Sequence, residues 1–289
     1  MNLILETKSK KNIKRKILFI SIVIICLISV LLVAYIEIFT PKEPGENTPG
    51  SEEKITTEEQ YLILEEEFDD IFTNQVYNFL GQDILITNKI KKEDDIIAVS
   101  YETHEKLAGK YNLNVKLPYI NINSATVKKY NKQIEQVFKQ KALDIISNSN
   151  SQNIIYTVDY VCYINKNNIL SIAIRSVLKE GANAQRRIIQ TYNYDLKNNK
   201  EVSLESILEK EGLLKKQVET KIINKIKKEQ AKVNELKKLG YNIFERNPGS
   251  DIYKIENTKE FFIGQDGYLY LIYAYGNDNY TSELDLVIF

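Results

Sequence analysis

Hydrophobic and polar positions divide the chain into an apolar N-terminal run, a polar stretch and a long region of mixed periodicity. In that region apolar residues recur at helical spacing over about 57–80, 123–147 and 213–239, and Ser203 is a typical cap for a further short helix. Runs of strand-type residues, several of them alternating with polar ones, predict strands at about 95–102, 111–118, 153–164, 168–178 and 187–196, with more between 261 and 289.

The ends of these elements carry residue types typical of them. Asn123 or Ser124 is expected to cap the second helix, and Gly240 is expected to end the last one. Pro118 is expected to end its strand, because proline donates no backbone hydrogen bond. In the last helix the predicted buried stripe is Leu214, Val218, Ile222 and Ile226.

These elements predict an α+β fold: antiparallel-rich mixed sheets with two to three segregated helices, preceded by one N-terminal transmembrane helix. The strands 153–164 and 168–178 meet at Lys166 and Asn167, which favours a tight hairpin. Antiparallel pairing is therefore expected to dominate the sheets.

The N-terminal apolar run predicts a membrane anchor. Residues 1–16 form a short basic tail, and Ile17 to Ile36 carry no charge. A helix of this length spans about 30 Å, the thickness of the hydrocarbon core of a bilayer. The basic flank favours a cytosolic N-terminus, so residues 17–38 are predicted to cross the cell membrane once, in contact with lipid. A cleaved signal peptide is the alternative, but its apolar core is only about 7–15 residues long.

The segment after the predicted span is typical of a linker. Residues 39–57 contain Pro41, Pro44 and Pro49 and almost no apolar side chain. Acidic residues outnumber lysines here, and their mutual repulsion favours an extended chain. The folded, extracytoplasmic domain is therefore predicted to comprise residues 58–289.

Composition excludes several classes of function. Lys+Arg and Asp+Glu each total 39, so no excess of positive charge attracts nucleic acid, and none is expected as a partner. The 2 cysteines cannot form a disulfide framework in a chain of 289 residues. The 1 histidine excludes zinc sites that need two imidazoles. No glycine-rich phosphate loop or serine nucleophile elbow occurs in the sequence.

The single histidine and the extracytoplasmic cysteine both favour structural interpretations. His104 lies in a polar segment beside a turn and is expected to be exposed. Cys162 shares one face of its strand with apolar residues and is expected to be buried and unreactive. Neither residue is predicted to be catalytic.

Acidic residues offer two further candidates. The run 65–70 lacks the ligand spacing of a calcium loop and is expected to be a solvated helix face. Asp278, Glu283 and Asp285 contain a possible carboxylate pair for glycoside chemistry, although Asp285 alternates with leucines and is expected to point outward. We therefore predict no catalytic residue, no metal site and no cofactor.

A series of segments carries a resemblance to a known family. They are Tyr156–Tyr163, Asn168–Ile172, Glu180–Asn183, Thr191–Leu196 and Val202–Leu208, flanked by Leu117-Pro118 and Tyr130–Ile134 upstream and by the Phe262–Tyr270 segment downstream. In this order they resemble the extracytoplasmic domain of RsiV-type anti-sigma factors, which is also an accessory module of PdaC-type peptidoglycan deacetylases. The resemblance covers about residues 95–289.

The resemblance implies an α+β domain outside the membrane that, in RsiV, binds lysozyme and thereby licenses release of a sigma factor. Two departures limit what it implies here. The family often has Gly-Gly-Ala-His-Gly where this chain has Glu180 to Ala184, so the role of that histidine is absent. The predicted cytosolic tail, residues 1–16, is too short to wrap a sigma factor.

The sequence thus predicts a membrane-anchored extracytoplasmic ligand-binding or sensing domain. The partner expected first is an extracellular lysozyme-like protein, and the second is peptidoglycan glycan. The candidate ligand-binding residues are Glu180, Asn183, Arg186 and Arg187, because arginines exposed on a loop of a rigid sheet are typical anchors. The alternatives are a non-catalytic accessory or enzyme acting on the cell wall, or a structural envelope protein.

Overall fold

A large twisted sheet and a small antiparallel sheet organise the part of the chain that the computed structural model describes, residues 57–78, 95–148, 152–264 and 267–289. The predicted basic tail 1–16, transmembrane helix 17–38 and almost all of the linker 39–57 lie outside these residues. Within the described ranges, no helix has the length and apolar character needed to cross a membrane.

The large sheet has the strand order β2-β4-β5-β6-β7-β8, and two short strands, β1 and β3, pair beside it with β5 and β4. Its pairing is mostly antiparallel, but β5 runs parallel to both β4 and β1. The strands are β1 (Gln75–Asn78), β2 (Ile97–Thr103), β3 (Lys106–Leu107), β4 (Tyr111–Ile120), β5 (Ile154–Ile164), β6 (Ile169–Glu180), β7 (Arg186–Asp195) and β8 (Lys200–Glu201).

The small sheet has the order β11-β10-β9 and is wholly antiparallel. Its strands are β9 (Glu260–Ile263), β10 (Leu269–Ala274) and β11 (Leu284–Ile288). The helices are α1 (Thr57–Glu66), α2 (Ala125–Ile134), α3 (Gln140–Ser147), α4 (Leu204–Lys210) and α5 (Lys215–Lys238), and a π-helical turn, Glu135–Lys139, joins α2 to α3. The predicted α+β class with antiparallel-rich mixed sheets is confirmed, but the described residues contain more helices than the two to three predicted.

Three hydrophobic clusters define the order of the layers. Helices α2 and α3 cover one face of the large sheet, where Phe138 packs with strand residues such as Leu117 and Ile172. Helices α4 and α5 cover one face of the small sheet. The remaining faces of the two sheets pack against each other, so the small sheet is buried on both sides.

Local sequence explains most element ends. The Ser124 side chain accepts a hydrogen bond from the Val127 N–H group, and the Ser203 side chain caps α4 in the same way. The stripe predicted for α5 is confirmed at Val218, Ile222 and Ile226. It is wrong at Leu214, which precedes the first helical turn and is 64% exposed.

The helix predicted over 57–80 is too long. After α1 a single 3-10 turn ends at Ile71, and Asn74 adopts a left-handed conformation with φ 59°. The Asn74 N–H group donates to the carbonyl oxygen of Tyr160 at 2.8 Å, and its Oδ1 accepts from the Tyr160 N–H group at 3.0 Å. Pairing with β5 therefore replaces the helix, and Gln75–Asn78 becomes β1.

The predicted strand end at Pro118 is also wrong, because β4 continues to Ile120. Pro118 lies opposite Val99, where the register of β2 shifts between Val99 and Tyr101. The Ser100 hydroxyl donates to the Pro118 carbonyl oxygen at 3.2 Å. Proline is tolerated at a bulge, where the ladder of hydrogen bonds is locally disrupted, so the strand continues.

Candidate functional site

The candidate residues predicted from sequence lie at one end of the β6–β7 hairpin. Glu180 is the last residue of β6, and Arg186 and Arg187 are the first residues of β7. Between them, residues 181–185 form an exposed turn, called the hairpin tip below, in which Gly181 has φ 53°. Glycine suits this position because a left-handed φ strains most other residues.

Contacts from distant segments hold Glu180 in place. Its Oε1 atom accepts a hydrogen bond from Lys141 Nζ at 2.9 Å, and its Oε2 atom accepts one from the Tyr280 hydroxyl at 2.6 Å. Burial acts to raise the pKa of Glu180, but these two hydrogen bonds, together with the charges of Lys141 and Arg186, outweigh it and leave the pKa below its usual value. Glu180 is therefore charged, and its contacts with Lys141 and Tyr280 hold this end of the hairpin in place.

Arg186 and Arg187 are half-buried, so the expectation that they are exposed is wrong. The Arg186 guanidinium donates to the carbonyl oxygens of Gly276 at 2.7 Å and Asn277 at 3.1 Å. The Arg187 guanidinium forms an ion pair with Asp69 at 3.2 Å. Both guanidinium groups bind partners inside the protein, although the buried Nε atom of Arg187 has no hydrogen-bond partner among the described residues.

Asn183 is the one predicted candidate residue that is exposed, and it lies in the hairpin tip. Its backbone carbonyl oxygen accepts a hydrogen bond from Lys179 Nζ. The tip is therefore an exposed surface whose two ends are fixed by internal contacts.

A second site, which the sequence analysis did not predict, lies between α2, β7 and the start of β9. Two cavities of about 460 and 510 Å³ share Val137, Gln190, Lys259 and Glu260, and together they form what is called the central groove below. Each cavity is within the range of about 300–1,000 Å³ typical of small-molecule sites. The groove is thus large enough for an extended ligand.

Glu260 is the most perturbed acid of this groove. Its Oε2 atom accepts hydrogen bonds from the Thr191 backbone N–H group at 2.6 Å and from the Thr191 hydroxyl at 3.1 Å. Burial raises the pKa of Glu260 to about 7, although the bonds from Thr191 and the charge of Lys259 act to lower it. A carboxyl with this pKa in a cleft is typical of functional sites.

The prediction that Asp285 points outward is wrong. The Asp285 carboxylate is buried and accepts two hydrogen bonds from the Arg246 guanidinium, at 2.6 and 2.9 Å, and a third from the Tyr275 hydroxyl at 2.5 Å. Arg246 also donates to Glu283 at 3.0 Å. Glu283 and Asp285 therefore share one guanidinium, which fits a structural network better than a pair of catalytic acids.

This network ties the loop after α5 to β11. Burial acts to lower the pKa of Arg246, but the hydrogen bonds and charge of Asp285 outweigh it and raise the pKa above its usual value. The Phe244 N–H group donates to Glu283 at 2.9 Å, and the Phe244 ring stacks on Tyr275 with 4.3 Å between centroids. The loop is thus held by charge, backbone bonds and ring packing together.

Among the remaining predictions, those for His104 and Cys162 are confirmed and that for the acidic run 65–70 is wrong. His104 is exposed, as expected, and its Nε2 atom lies 3.3 Å from Glu102. Cys162 is fully buried, as expected, and burial raises the pKa of its thiol. The acidic run is not merely solvated, because Glu65 pairs with Lys225 at 2.6 Å.

The other acid of that run with a structural role is Asp69. It accepts a hydrogen bond from Arg175 at 3.0 Å, and Arg175 in turn forms a two-bond pair with Asp159 at 2.8 and 3.0 Å. These ion pairs fasten the 3-10 turn after α1 to β5, β6 and β7. Within the described ranges, no group of three or more His, Cys, Asp or Glu side chains is arranged to hold a metal ion.

Comparison with known proteins identifies structural neighbours but no matching family model or curated protein. The structural neighbours are DUF3298 family proteins, including one from Pseudomonas aeruginosa PAO1 at 12% identity and one from Bacteroides fragilis at 13%. They match 66% and 67% of this chain and 85% and 87% of their own, each with a TM-score of 0.35. At this similarity no residue role passes from them to this chain, and the resemblance to RsiV-type proteins stays a prediction.

Proposed function

We propose that this protein is a membrane-anchored, extracytoplasmic binding or sensing domain that recognises an extracellular protein, a lysozyme-like muramidase first, through the hairpin tip. The anchor is the predicted transmembrane segment 17–38, and the acidic linker 39–57 holds the domain away from the membrane. The observation that supports the proposal is that internal contacts hold both ends of the exposed tip in place.

Bracing matters because ordering a loop on binding costs free energy, and a loop already held in one conformation avoids that cost. On one side Lys141 and Tyr280 hold Glu180, and on the other Gly276 and Asn277 accept the hydrogen bonds of Arg186. Residues 181–185 thus project from a rigid sheet, a common arrangement for binding loops.

Tyr280 adds a recognition surface beside the tip. Its side chain is 51% exposed, and the Arg186 guanidinium lies 5.3 Å from the centroid of its ring. Tyrosine is enriched in the energetic centres of protein interfaces. An aromatic ring held by a cation and a carboxylate beside a fixed turn supports binding of a protein surface.

The test is calorimetric titration of the full-length protein in detergent micelles with lysozyme at two salt concentrations, with empty micelles as the blank. The proposal predicts saturable one-to-one binding that persists at the higher salt concentration. Ala184→Arg places a large charged side chain on the tip and is expected to weaken binding at least about tenfold.

Ala231→Arg is the matched control, because Ala231 is exposed on α5, an element that is not part of the hairpin. It is expected to leave the affinity unchanged. Absence of saturable heat, or equal weakening by both variants, contradicts the proposal. Gel filtration of the same sample excludes a self-associating structural role if the protein is monomeric at every concentration.

A further inference from the structure

We infer that the central groove is a second binding site, distinct from the hairpin tip, and that it takes a neutral, hydroxyl-rich ligand such as a short glycan chain. The inference rests on the groove alone and does not require the hairpin tip to bind a protein. Its two cavities meet at Gln190 and Glu260, so one extended ligand can occupy both.

Amide side chains supply the polar chemistry of one wall. Gln133 and Gln136 lie three residues apart, so they share a helix face, and both are exposed. Neither hydrogen bonds to another side chain among the described residues. Each amide both donates and accepts, as does each hydroxyl of a sugar, so the two groups suit one another.

Gln190, on the opposite wall, has a donor to spare. Its Oε1 atom accepts a hydrogen bond from the Tyr192 hydroxyl at 3.0 Å. This contact fixes the amide so that its NH₂ group remains for a ligand oxygen. Amide side chains on the two facing walls can therefore form hydrogen bonds with the hydroxyl groups of a sugar ring that lies between them.

The charges of the groove balance, which favours a neutral ligand. The first cavity is lined by two basic residues, Lys129 and Lys259, and by two acidic residues, Glu201 and Glu260. The second cavity adds Arg186, whose Nε and Nη2 atoms donate to backbone carbonyl oxygens, and Asp278. A polyanion or a polycation would meet repulsion in either cavity as well as attraction.

Glu260 provides a hydrogen-bond acceptor that would hold the ligand in the groove. Thr191 occupies its Oε2 atom, and no donor of the described residues reaches Oε1. A carboxylate oxygen in a partly desolvated position gains most from a hydroxyl donor. The second cavity is also lined by the partly exposed Ile252 and the partly buried Ile188, which offer apolar surface suited to the methyl of an acetamido group.

The probe is the tetrasaccharide of N-acetylglucosamine, titrated into the full-length protein in detergent micelles. We expect saturable binding that changes little with salt, because the ligand is neutral. The double variant Gln133→Ala with Gln136→Ala is expected to weaken binding at least about tenfold. Its matched control, Gln140→Ala with Gln217→Ala, removes two exposed amides outside the groove and is expected to have no effect.

Two results would overturn the inference: no binding of the tetrasaccharide at millimolar concentration, or binding that the groove variants do not change. Release of shorter oligosaccharides would overturn the assignment as a binding site without catalytic activity. The same groove variants are expected to leave lysozyme binding unchanged. Failure with lysozyme beside success with the tetrasaccharide would therefore reject the proposed function and retain this site.

Discussion

Arg246 and Asp285 form a two-bond ion pair, at 2.6 and 2.9 Å, whose side chains are only 6% and 3% exposed. The pair joins the loop that follows α5 to the last strand of the small sheet. Tyr253 and Tyr275 extend it, since the Tyr253 and Tyr275 hydroxyls are 2.8 Å apart and Tyr275 donates to Asp285. A charged pair in this position is costly to break, because each partner alone would be a desolvated charge.

We expect Asp285→Ala to lower the free energy of unfolding by about 3–5 kcal/mol, because it leaves Arg246 buried with only Glu283 as a charged partner. Urea unfolding followed by circular dichroism measures this. Lys238→Ala is the control, since Lys238 and Glu235 are each 70% exposed, and a change within about 0.5 kcal/mol is expected. Equal losses in the two variants would show that the buried pair adds nothing.

Glu260 makes the stability of the domain depend on pH. Its pKa is about 7 in the folded protein, against the ordinary value of 4.5, so the folded state binds the proton more tightly than the unfolded state. The contribution of Glu260 to stability is therefore most favourable below about pH 4.5 and is lost as the pH rises through 7.

Glu260→Gln keeps an acceptor for Thr191 and removes the charge. The variant is expected to be more stable than the native protein at pH 8, by up to about 3 kcal/mol, and to lose this advantage at pH 4. Thermal unfolding across this range measures the difference, with Glu209→Gln, at an exposed position on α4, as the control. If the difference in stability between the native protein and the variant does not change with pH, the pH dependence cannot be assigned to Glu260.

Asp69 is expected to fasten the segment after α1, because it pairs with both Arg175 and Arg187. Asp69→Ala should cost about 1 kcal/mol, the modest loss typical of a partly exposed carboxylate, and should speed amide exchange over residues 67–72. Asp70→Ala is the control, because Asp70 is exposed and takes part in no ion pair within the described ranges. Unchanged exchange in Asp69→Ala would show that packing of Phe68 alone holds the segment.

Position 276 requires glycine because other backbone segments pack closely against it, and not because its backbone is left-handed. A Cβ atom there would lie 1.7 Å from the carbonyl oxygen of Arg187 and 2.6 Å from that of Thr281. We expect Gly276→Ala to destabilise the protein by at least about 3 kcal/mol, since two backbone segments would have to separate.

Gly249→Ala is the matched control, because the nearest atom to its new Cβ is Asn247 Oδ1 at 3.4 Å. It is expected to change stability by less than about 1 kcal/mol. Urea unfolding compares the two variants. Similar small losses would mean that residues 275–281 do not pack on the start of β7 as closely as described.

Local patterns predicted the sheets and helices where each element is decided by its own residues. The face of β6 marked by Leu170, Ile172 and Ile174 follows from alternation alone, and all three are buried. The strand 75–78 did not follow, because Val76 also fits the helical spacing of the preceding residues. Its conformation is set by pairing with β5, far along the chain.

The candidate sites show the same limit. Alternation suggested an outward Asp285 because it assumes a sheet with one solvated face, whereas the small sheet is covered on both faces and buries Asp285 as well as Leu286. The groove around Glu260 joins several distant segments and has no sequence motif. The turn between β6 and β7 was predicted correctly from sequence, but the distant partners of Arg186 and Arg187 could not be.

The most direct test of the account is the comparison of Ala184→Arg with Ala231→Arg in calorimetric titration of the full-length protein with lysozyme. The account predicts one-to-one, salt-tolerant binding that the tip variant weakens at least about tenfold and the α5 variant leaves unchanged. No saturable binding, or binding that is indifferent to the tip, would contradict the claim that the braced hairpin tip recognises a lysozyme-like muramidase.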